Sequence, residues 1–313
     1  MMTDKKVLIA CDMNQRFLNE LTRMGFLPEY QPEIEQTELE KIIHDYAGLV
    51  LSTSIHVNES LLSKASRLKW IGRAGSGMEN IDVSLANTKQ IYCFNSPEGN
   101  RNAVAEQALG MLLALFQNIS KADKELKQGI WHREENRGIE LDGLCVGIIG
   151  FGNTGSSFAK KLRGFDVRVL AFDKYKTGFG NTFVQESHLQ QIFDESDVVS
   201  MHIPLTGETQ YLVNEHFFYS FSKPIYFINT SRGKVLNTSE LVYALDSGKV
   251  KGACLDVFET EPLEAAHLNK LDWYNKLSTR ENVILTPHIA GWTQESKEKI
   301  GKVLLEKLEK HLF

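Results

Sequence analysis

The sequence predicts an α/β protein with two doubly wound parallel-sheet domains. Three observations carry this expectation. Strand-length apolar runs alternate with helical patterns, the alternation occurs in two stretches, and a glycine-rich turn joins strand to helix where the second begins. In the first stretch, residues 7–10, 49–52, 68–71 and 91–94 read as strands, with 15–24 and 59–65 as helices. In the second, 146–149, 167–171, 198–202, 225–229, 252–255 and 283–285 read as strands. Helical patterns such as 238–245 fall between most of them. Crossover helices place parallel strands side by side in a sheet covered on both faces. Residues 102–128 form a long helical pattern between the two stretches, followed by Gly129, Trp131 and a polar run to Asp142. The amphipathic stretch 294–312 is expected to return to the first domain, so that two connections join the halves.

Composition bounds the function classes. A chain of 313 residues accommodates two domains of ordinary size, and 42% hydrophobic with 24% charged residues fits a globular protein. The formal net charge of −5 supplies no basic field, so neither nucleic acid nor an acidic membrane is an expected partner. The opening MMTDKKVLIACD lacks signal-peptide architecture, and the longest apolar stretch, 108–116, is too short for a bilayer and reads as a buried helix. Cys11, Cys93, Cys145 and Cys254 stand far apart, each in or beside a strand-like run, with no C-x-x-C or Cys/His cluster. They are expected to be reduced core residues of a cytoplasmic protein, and no metal site is expected.

The stretch 146–173, VGIIGFGNTGSSFAKKLRGFDVRVLAFD, is the most informative. Gly150, Gly152 and Gly155 form G-x-G-x-x-G directly after an apolar strand. The first glycine suits the tight turn, the second a close approach of backbone to a pyrophosphate, and the third close packing of helix on strand. The helix N-terminus that follows offers free N–H groups and a positive dipole end. Asp173, about 20 residues on, stands where a carboxylate accepts hydrogen bonds from an adenosine ribose. A dinucleotide is therefore the expected cofactor.

Three further strands of that domain end in polar runs, and ligands of open parallel sheets gather at the carboxyl ends of strands. Asn229-Thr230-Ser231-Arg232-Gly233 offers a guanidinium able to hold a carboxylate in a two-pronged fork. Asp256 and Glu259 follow the next strand, then Glu261-Pro262. Thr286-Pro287-His288-Ile289-Ala290-Gly291 follows the last. A histidine beside a carboxylate suits hydride-transfer chemistry, because imidazolium delivers a proton to a carbonyl oxygen as hydride reaches its carbon. Of nine histidines, His288 alone has a strand end before it, with Pro287 preceding and a glycine following.

The chain resembles the D-isomer-specific 2-hydroxyacid dehydrogenase family. The matching runs are RAGSGMENID (73–82), NRNAVAEQAL (100–109), Gly129-Ile130-Trp131, the glycine turn, HIPLT (202–206), NTSRG (229–233), GACLDVFE (252–259), Glu261-Pro262 and PHIAG (287–291). The resemblance implies Arg232, Glu261 and His288 as the catalytic residues, with the arginine on the substrate carboxylate and the glutamate tuning the histidine. It implies a cofactor site of Gly150, Gly152, Asn153, Thr154, Gly155, Asp173, His202, Pro204, Asn229, Thr230, Ser231, Asp256 and Gly291. Asn153 and Thr154 would meet the pyrophosphate, and Asp256 the nicotinamide carboxamide. It implies substrate binding by Arg73, Ala74, Gly75 and Ser76. A Rossmann cofactor domain, 99–291, is expected inserted into a flavodoxin-like substrate domain, 1–98 plus 292–313. A homodimer built by the helix around 104–115 and its flanks is also implied.

NAD is expected over NADP because Asp173 repels a 2′-phosphate, with Lys174 directly after it as the feature that softens that repulsion. The expected substrate is a small 2-oxo acid or its D-2-hydroxy acid. 3-Phosphoglycerate is placed first, with glyoxylate or hydroxypyruvate close behind, since Ser52-Thr53-Ser54 stands where phosphoglycerate dehydrogenases often carry a basic residue. An NAD-sensing corepressor is the alternative from another class. The segment between Pro262 and Asn282 is expected to be a surface loop or a flap.

Overall fold

The structure, a computed structural model, describes residues 5–261, 268 and 270–312. The chain divides into two compact units, Met1–Arg101 with Trp292–Phe313, and Asn102–Gly291. Along the chain come β1 (Lys6–Ala10), α1 (Gln15–Arg23), β2 (Leu27–Tyr30), α2 (Gln36–Ile42), β3 (Gly48–Leu51), α3 (Glu59–Lys64), β4 (Trp70–Arg73), α4 (Val83–Thr88) and β5 (Tyr92–Asn95). Helix α5 (Pro97–Phe116) leads out of the first unit. Then follow α6 (Ile119–Lys127), β6 (Cys145–Ile149), α7 (Asn153–Lys161), β7 (Arg168–Phe172), β8 (Val184–Glu186), α8 (Leu189–Glu195), β9 (Val198–Met201), α9 (Glu215–Tyr219) and β10 (Ile225–Asn229). The second unit closes with α10 (Thr238–Asp246), β11 (Val250–Leu255), α11 (Asp272–Ser278) and β12 (Val283–Leu285), and α12 (Gln294–Leu312) belongs again to the first.

The first unit holds a five-stranded parallel sheet in the order β2-β1-β3-β4-β5. Alternation along β1 sorts its side chains onto two faces. Val7 and Ile9 join Phe17, Leu21, Trp70 and Phe94 on one side, and Leu8 and Ala10 join Leu39, Leu49 and Leu61 on the other. The first of these cores also takes Leu304 and Leu308, four residues apart on one face of α12. That sheet face is thus covered by α1 together with a helix from the far end of the chain.

The second unit holds seven parallel strands in the order β12-β11-β10-β9-β6-β7-β8. From β6 the chain winds outward through β7 and β8, then crosses to β9 on the opposite side of β6. The strand order therefore reverses at β6, and the crevice at the carboxyl ends of β6 and β9 is where such sheets take ligands. Val146 and Ile148 face a core with Leu112 and Phe116 of α5, whereas Cys145 and Ile149 face the core of Phe217, Phe218, Phe221 and Phe227.

Several elements differ from the sequence expectation. Edge strands β2 and β8 carry no apolar signal: β2 reads LPEY with both ends exposed, and its proline is tolerated because an edge strand has one side free of ladder bonds. The pattern 102–128 is two helices rather than one. Asn118, at φ +51°, breaks the run between α5 and α6. Residues 262–267 and 269, within the expected loop or flap, lie outside the described residues. The remainder of that segment includes α11, where Leu277 is buried and the Trp273 ring stacks on Phe258 with centroids 5.7 Å apart.

Candidate active site

The glycine turn is shaped by what each position must avoid. Gly150 stands at φ +93°, and a Cβ there would lie 2.4 Å from the His202 carbonyl oxygen. At Gly155 a Cβ would meet the Gly150 carbonyl oxygen at 2.0 Å, so side-chain absence lets α7 close on β6. Gly152 is different: a Cβ there would meet nothing within 4 Å. Gly152 is also the N-cap of α7, and no side chain caps that helix. Open space above an uncapped helix N-terminus fits a phosphate, which the first-turn amides of Asn153 and Thr154 would receive.

Asp173 follows β7 and is fixed by backbone on both oxygens. Phe151 N–H donates to Oδ2 at 2.8 Å, and the amides of Tyr175 and Lys176 donate to Oδ1 at 3.0 Å each. The carboxylate is held beside the glycine turn with a lone pair of Oδ2 remaining for a ribose hydroxyl. His202 is buried, with Nδ1 3.2 Å from Thr154 Oγ1 and Nε2 2.9 Å from Ser200 Oγ. Burial pulls its pKa down to about 3, so the ring is neutral and braces the first turn of α7. Pro204 accepts from Thr209 Oγ1 at 2.6 Å, and this hydroxyl also accepts from Thr206 N–H.

After β10, Asn229 Oδ1 accepts from Ser231 N–H and Oγ–H, and Asn229 Nδ2 donates to the Arg232 carbonyl. This side-chain clamp turns the chain so that Thr230 and Ser231 are buried and Arg232 is half-buried. Arg232 Nη1 donates to the Ser231 carbonyl at 2.7 Å. Thr230 Oγ1 is buried without a hydrogen-bond partner among the described residues. Such an orphan marks a place where polar chemistry is incomplete.

Asp256, at the end of β11, is fully buried, and its carboxylate organises the segment after β12. Oδ1 accepts from Thr286 Oγ1 at 2.5 Å and from Ile289 N–H at 2.9 Å, and Oδ2 accepts from Ala290 N–H at 2.8 Å. The Asp256 carbonyl accepts from His288 N–H at 2.8 Å. These bonds hold His288 at φ +53°, a left-handed conformation uncommon outside glycine. The histidine is aimed by a buried aspartate whose side chain is already spent on that loop, ahead of the Gly291 that ends the second unit.

The outcome is a close ion pair. His288 Nδ1 lies 2.5 Å from Glu261 Oε2, and Glu261 Oε1 accepts from Phe258 N–H at 2.6 Å. The Glu261 hydrogen bond is the largest influence on His288 and raises its pKa above the ordinary histidine value. Burial opposes that rise, the charges of Glu261 and Asp256 add to it, and the Arg232 guanidinium subtracts from it. Imidazole, carboxylate and guanidinium therefore act on one another, although they come from three different strand ends.

In the first unit, the loop after β4 spends two of its backbone amides within the unit. Ala74 N–H donates to the Leu51 carbonyl and Gly75 N–H to Ser96 Oγ, which leaves the Ser76 amide among the described residues. Gly75 takes φ +145°, Ser76 Oγ donates to Asn100 Oδ1, and Arg73 Nη1 donates to the Ala74 carbonyl.

Sequence reasoning passed over Thr286, Ser200 and Phe151. Ser200 shares a strand face with His202 two residues on, so alternation could have flagged it. Thr286 precedes Pro287-His288 but gives no sign of its bond to Asp256, which depends on strand neighbours.

The NAD-binding domain of the D-isomer-specific 2-hydroxyacid dehydrogenases matches residues 109–290, more than half of the chain. The chain belongs to that family. It is an NAD-binding oxidoreductase acting on CH–OH donors. The hydroxypyruvate reductase of Thermotoga maritima is 36% identical over 279 residues, 89% of each chain. A D-3-phosphoglycerate dehydrogenase of Archaeoglobus fulgidus is 32% identical over 96% of this chain, which spans only 56% of that protein. Among solved structures, a D-lactate dehydrogenase of Aquifex aeolicus, complexed with NAD and lactic acid, aligns with TM-score 0.81 and 29% identity. That alignment covers 98% of this chain and 95% of the other. Among the described residues, no helix of this dehydrogenase is long and apolar enough to cross a membrane.

Proposed function

We propose that the chain interconverts a small unphosphorylated 2-oxo acid and its D-2-hydroxy acid, with hydroxypyruvate or glyoxylate as the oxo acid. The observation that carries the catalytic reading is the His288–Glu261 pair at 2.5 Å with the Arg232 charge acting on the same ring. Bound NAD supplies the hydride acceptor, and NADH the donor. In the reducing direction His288, protonated and held by Glu261, gives its proton to the substrate carbonyl oxygen. In the oxidising direction it removes the hydroxyl proton. Arg232 holds the substrate carboxylate in its fork.

Two observations favour the smaller substrate over the phosphorylated one ranked first from sequence. Ser52-Thr53-Ser54 follows β3 with no cation among the three, and Arg73 donates to its own loop. A relative of matching length is a hydroxypyruvate reductase. The phosphoglycerate reading is kept because phosphoglycerate dehydrogenases match along nearly the whole chain. A panel of hydroxypyruvate, glyoxylate, pyruvate and 3-phosphohydroxypyruvate, followed by NADH absorbance, tests both. The expected order puts hydroxypyruvate or glyoxylate highest in kcat/KM, and a preference for the phosphorylated acid would reverse the ranking. We further infer a cytoplasmic homodimer, supported by Ile119, Leu126 and the 78%-exposed Trp131 projecting from α6 and the segment after it.

A further inference from the structure

Lys174 is the cation next to Asp173, and taken alone it would soften the rejection of a coenzyme bearing a 2′-phosphate. The structure shows where its charge goes. Lys174 Nζ lies 2.6 Å from Glu208 Oε2, and the Tyr175 hydroxyl donates to the same oxygen at 2.7 Å. Glu208 comes from the loop after β9, whereas Lys174 and Tyr175 come from the loop after β7, and these two strands flank β6. The contact therefore spans the carboxyl edge of the sheet on either side of the glycine turn. Both ends are braced. Thr209 Oγ1 accepts from Thr206 N–H and donates to the Pro204 carbonyl, and the Tyr175 and Lys176 amides fasten their turn to Asp173.

We propose that Glu208 is a coenzyme-specificity residue, which holds Lys174 in an ion pair, so that a ribose 2′-phosphate at Asp173 meets carboxylate charge that Lys174 is not free to offset. The inference deepens the assignment of NAD as coenzyme and rests on Asp173 receiving the adenosine ribose. Charge matching gives the direction. A 2′-phosphate brings close to two negative charges, which Asp173 repels, while a Lys174 released from Glu208 attracts them. Glu208 and Lys174 are both well exposed, so each charge contributes modestly and is screened by salt.

The test is a fluorescence titration of the intact protein with NADH and with NADPH, reading two dissociation constants without turnover. In Glu208→Gln the affinity ratio of NADPH to NADH is expected to rise roughly five-fold at low salt and to shrink as salt is added. In the double variant Glu208→Gln/Lys174→Gln the ratio is expected to fall back by at least half of that gain. A ratio unmoved in the single variant would overturn the proposal. So would a double variant that keeps the whole gain, since Lys174 would then not be the group released. Wild-type protein that binds neither coenzyme would overturn the coenzyme assignment together with this inference, whereas tight NADH binding with an unmoved ratio would overturn this inference alone.

Discussion

His288 is where single-residue chemistry is most exposed to test. Its pKa is raised, chiefly by the Glu261 hydrogen bond, so the imidazolium persists to higher pH than an ordinary histidine allows. Reduction of the oxo acid needs that proton and is expected to hold its rate to higher pH than an ordinary histidine would allow, falling as pH rises through the raised value. Oxidation needs the neutral ring and should show the opposite limb. Glu261→Gln removes the charge and leaves only a neutral amide acceptor, so the descending limb of reduction should move to lower pH, which a kcat/KM profile against pH reads directly. A limb left in place would break the assignment of the pair. His288→Gln should lower kcat by about 10²–10⁴, the range for loss of a general acid–base, with NADH binding retained. The same linkage touches stability. A group with a raised folded pKa stabilises the native state below its unfolded value near 6.5, and that contribution disappears as pH climbs through the folded value.

At the scale of the element, the strand–turn–helix at 145–161 makes a contrast between two glycines. Gly155→Ala would drive a methyl into the Gly150 carbonyl, a backbone atom that cannot step aside, so a loss of about 1–3 kcal/mol is expected, read as a lower Tm. Gly152→Ala meets open space at φ −83° and should leave Tm near wild type. Its methyl would occupy the room assigned to the pyrophosphate, so the NADH dissociation constant should rise at least about ten-fold. Equal effects of the two substitutions would contradict this division. The segment after β12 gives a second case. Asp256→Ala removes the acceptor of two backbone amides and one hydroxyl in a buried place, and leaving such groups unpaired costs about 1–3 kcal/mol each. The expected result is a lower Tm together with a kcat loss, because His288 is no longer held at φ +53°.

For the whole molecule, ligand linkage is the broadest check. NADH at 100 times its dissociation constant should add about 2.7 kcal/mol to the unfolding free energy, seen as a rise in Tm. Light scattering should report twice the 35.4 kDa chain mass, and Trp131→Ser with Leu126→Ser should shift that value toward the monomer.

Much of this was legible in the sequence, because its signals are local. Short apolar runs declare buried strands such as Val198–Met201, and G-x-G-x-x-G declares a strand–turn–helix junction within six residues. The stripe of α12 declares an amphipathic helix in the same way. What tertiary structure decided is everything that depends on partners distant in the chain. Examples are the Asp256 side chain spent on the His288 loop, the neutral His202 bracing α7, the amides of Ala74 and Gly75 turned inward, and Lys174 claimed by Glu208 34 residues away. The reason is physical. Backbone periodicity is set by bond rotations within a few residues, whereas the protonation and availability of a polar group are set by whichever charges and hydrogen-bond partners folding brings within a few ångströms of it.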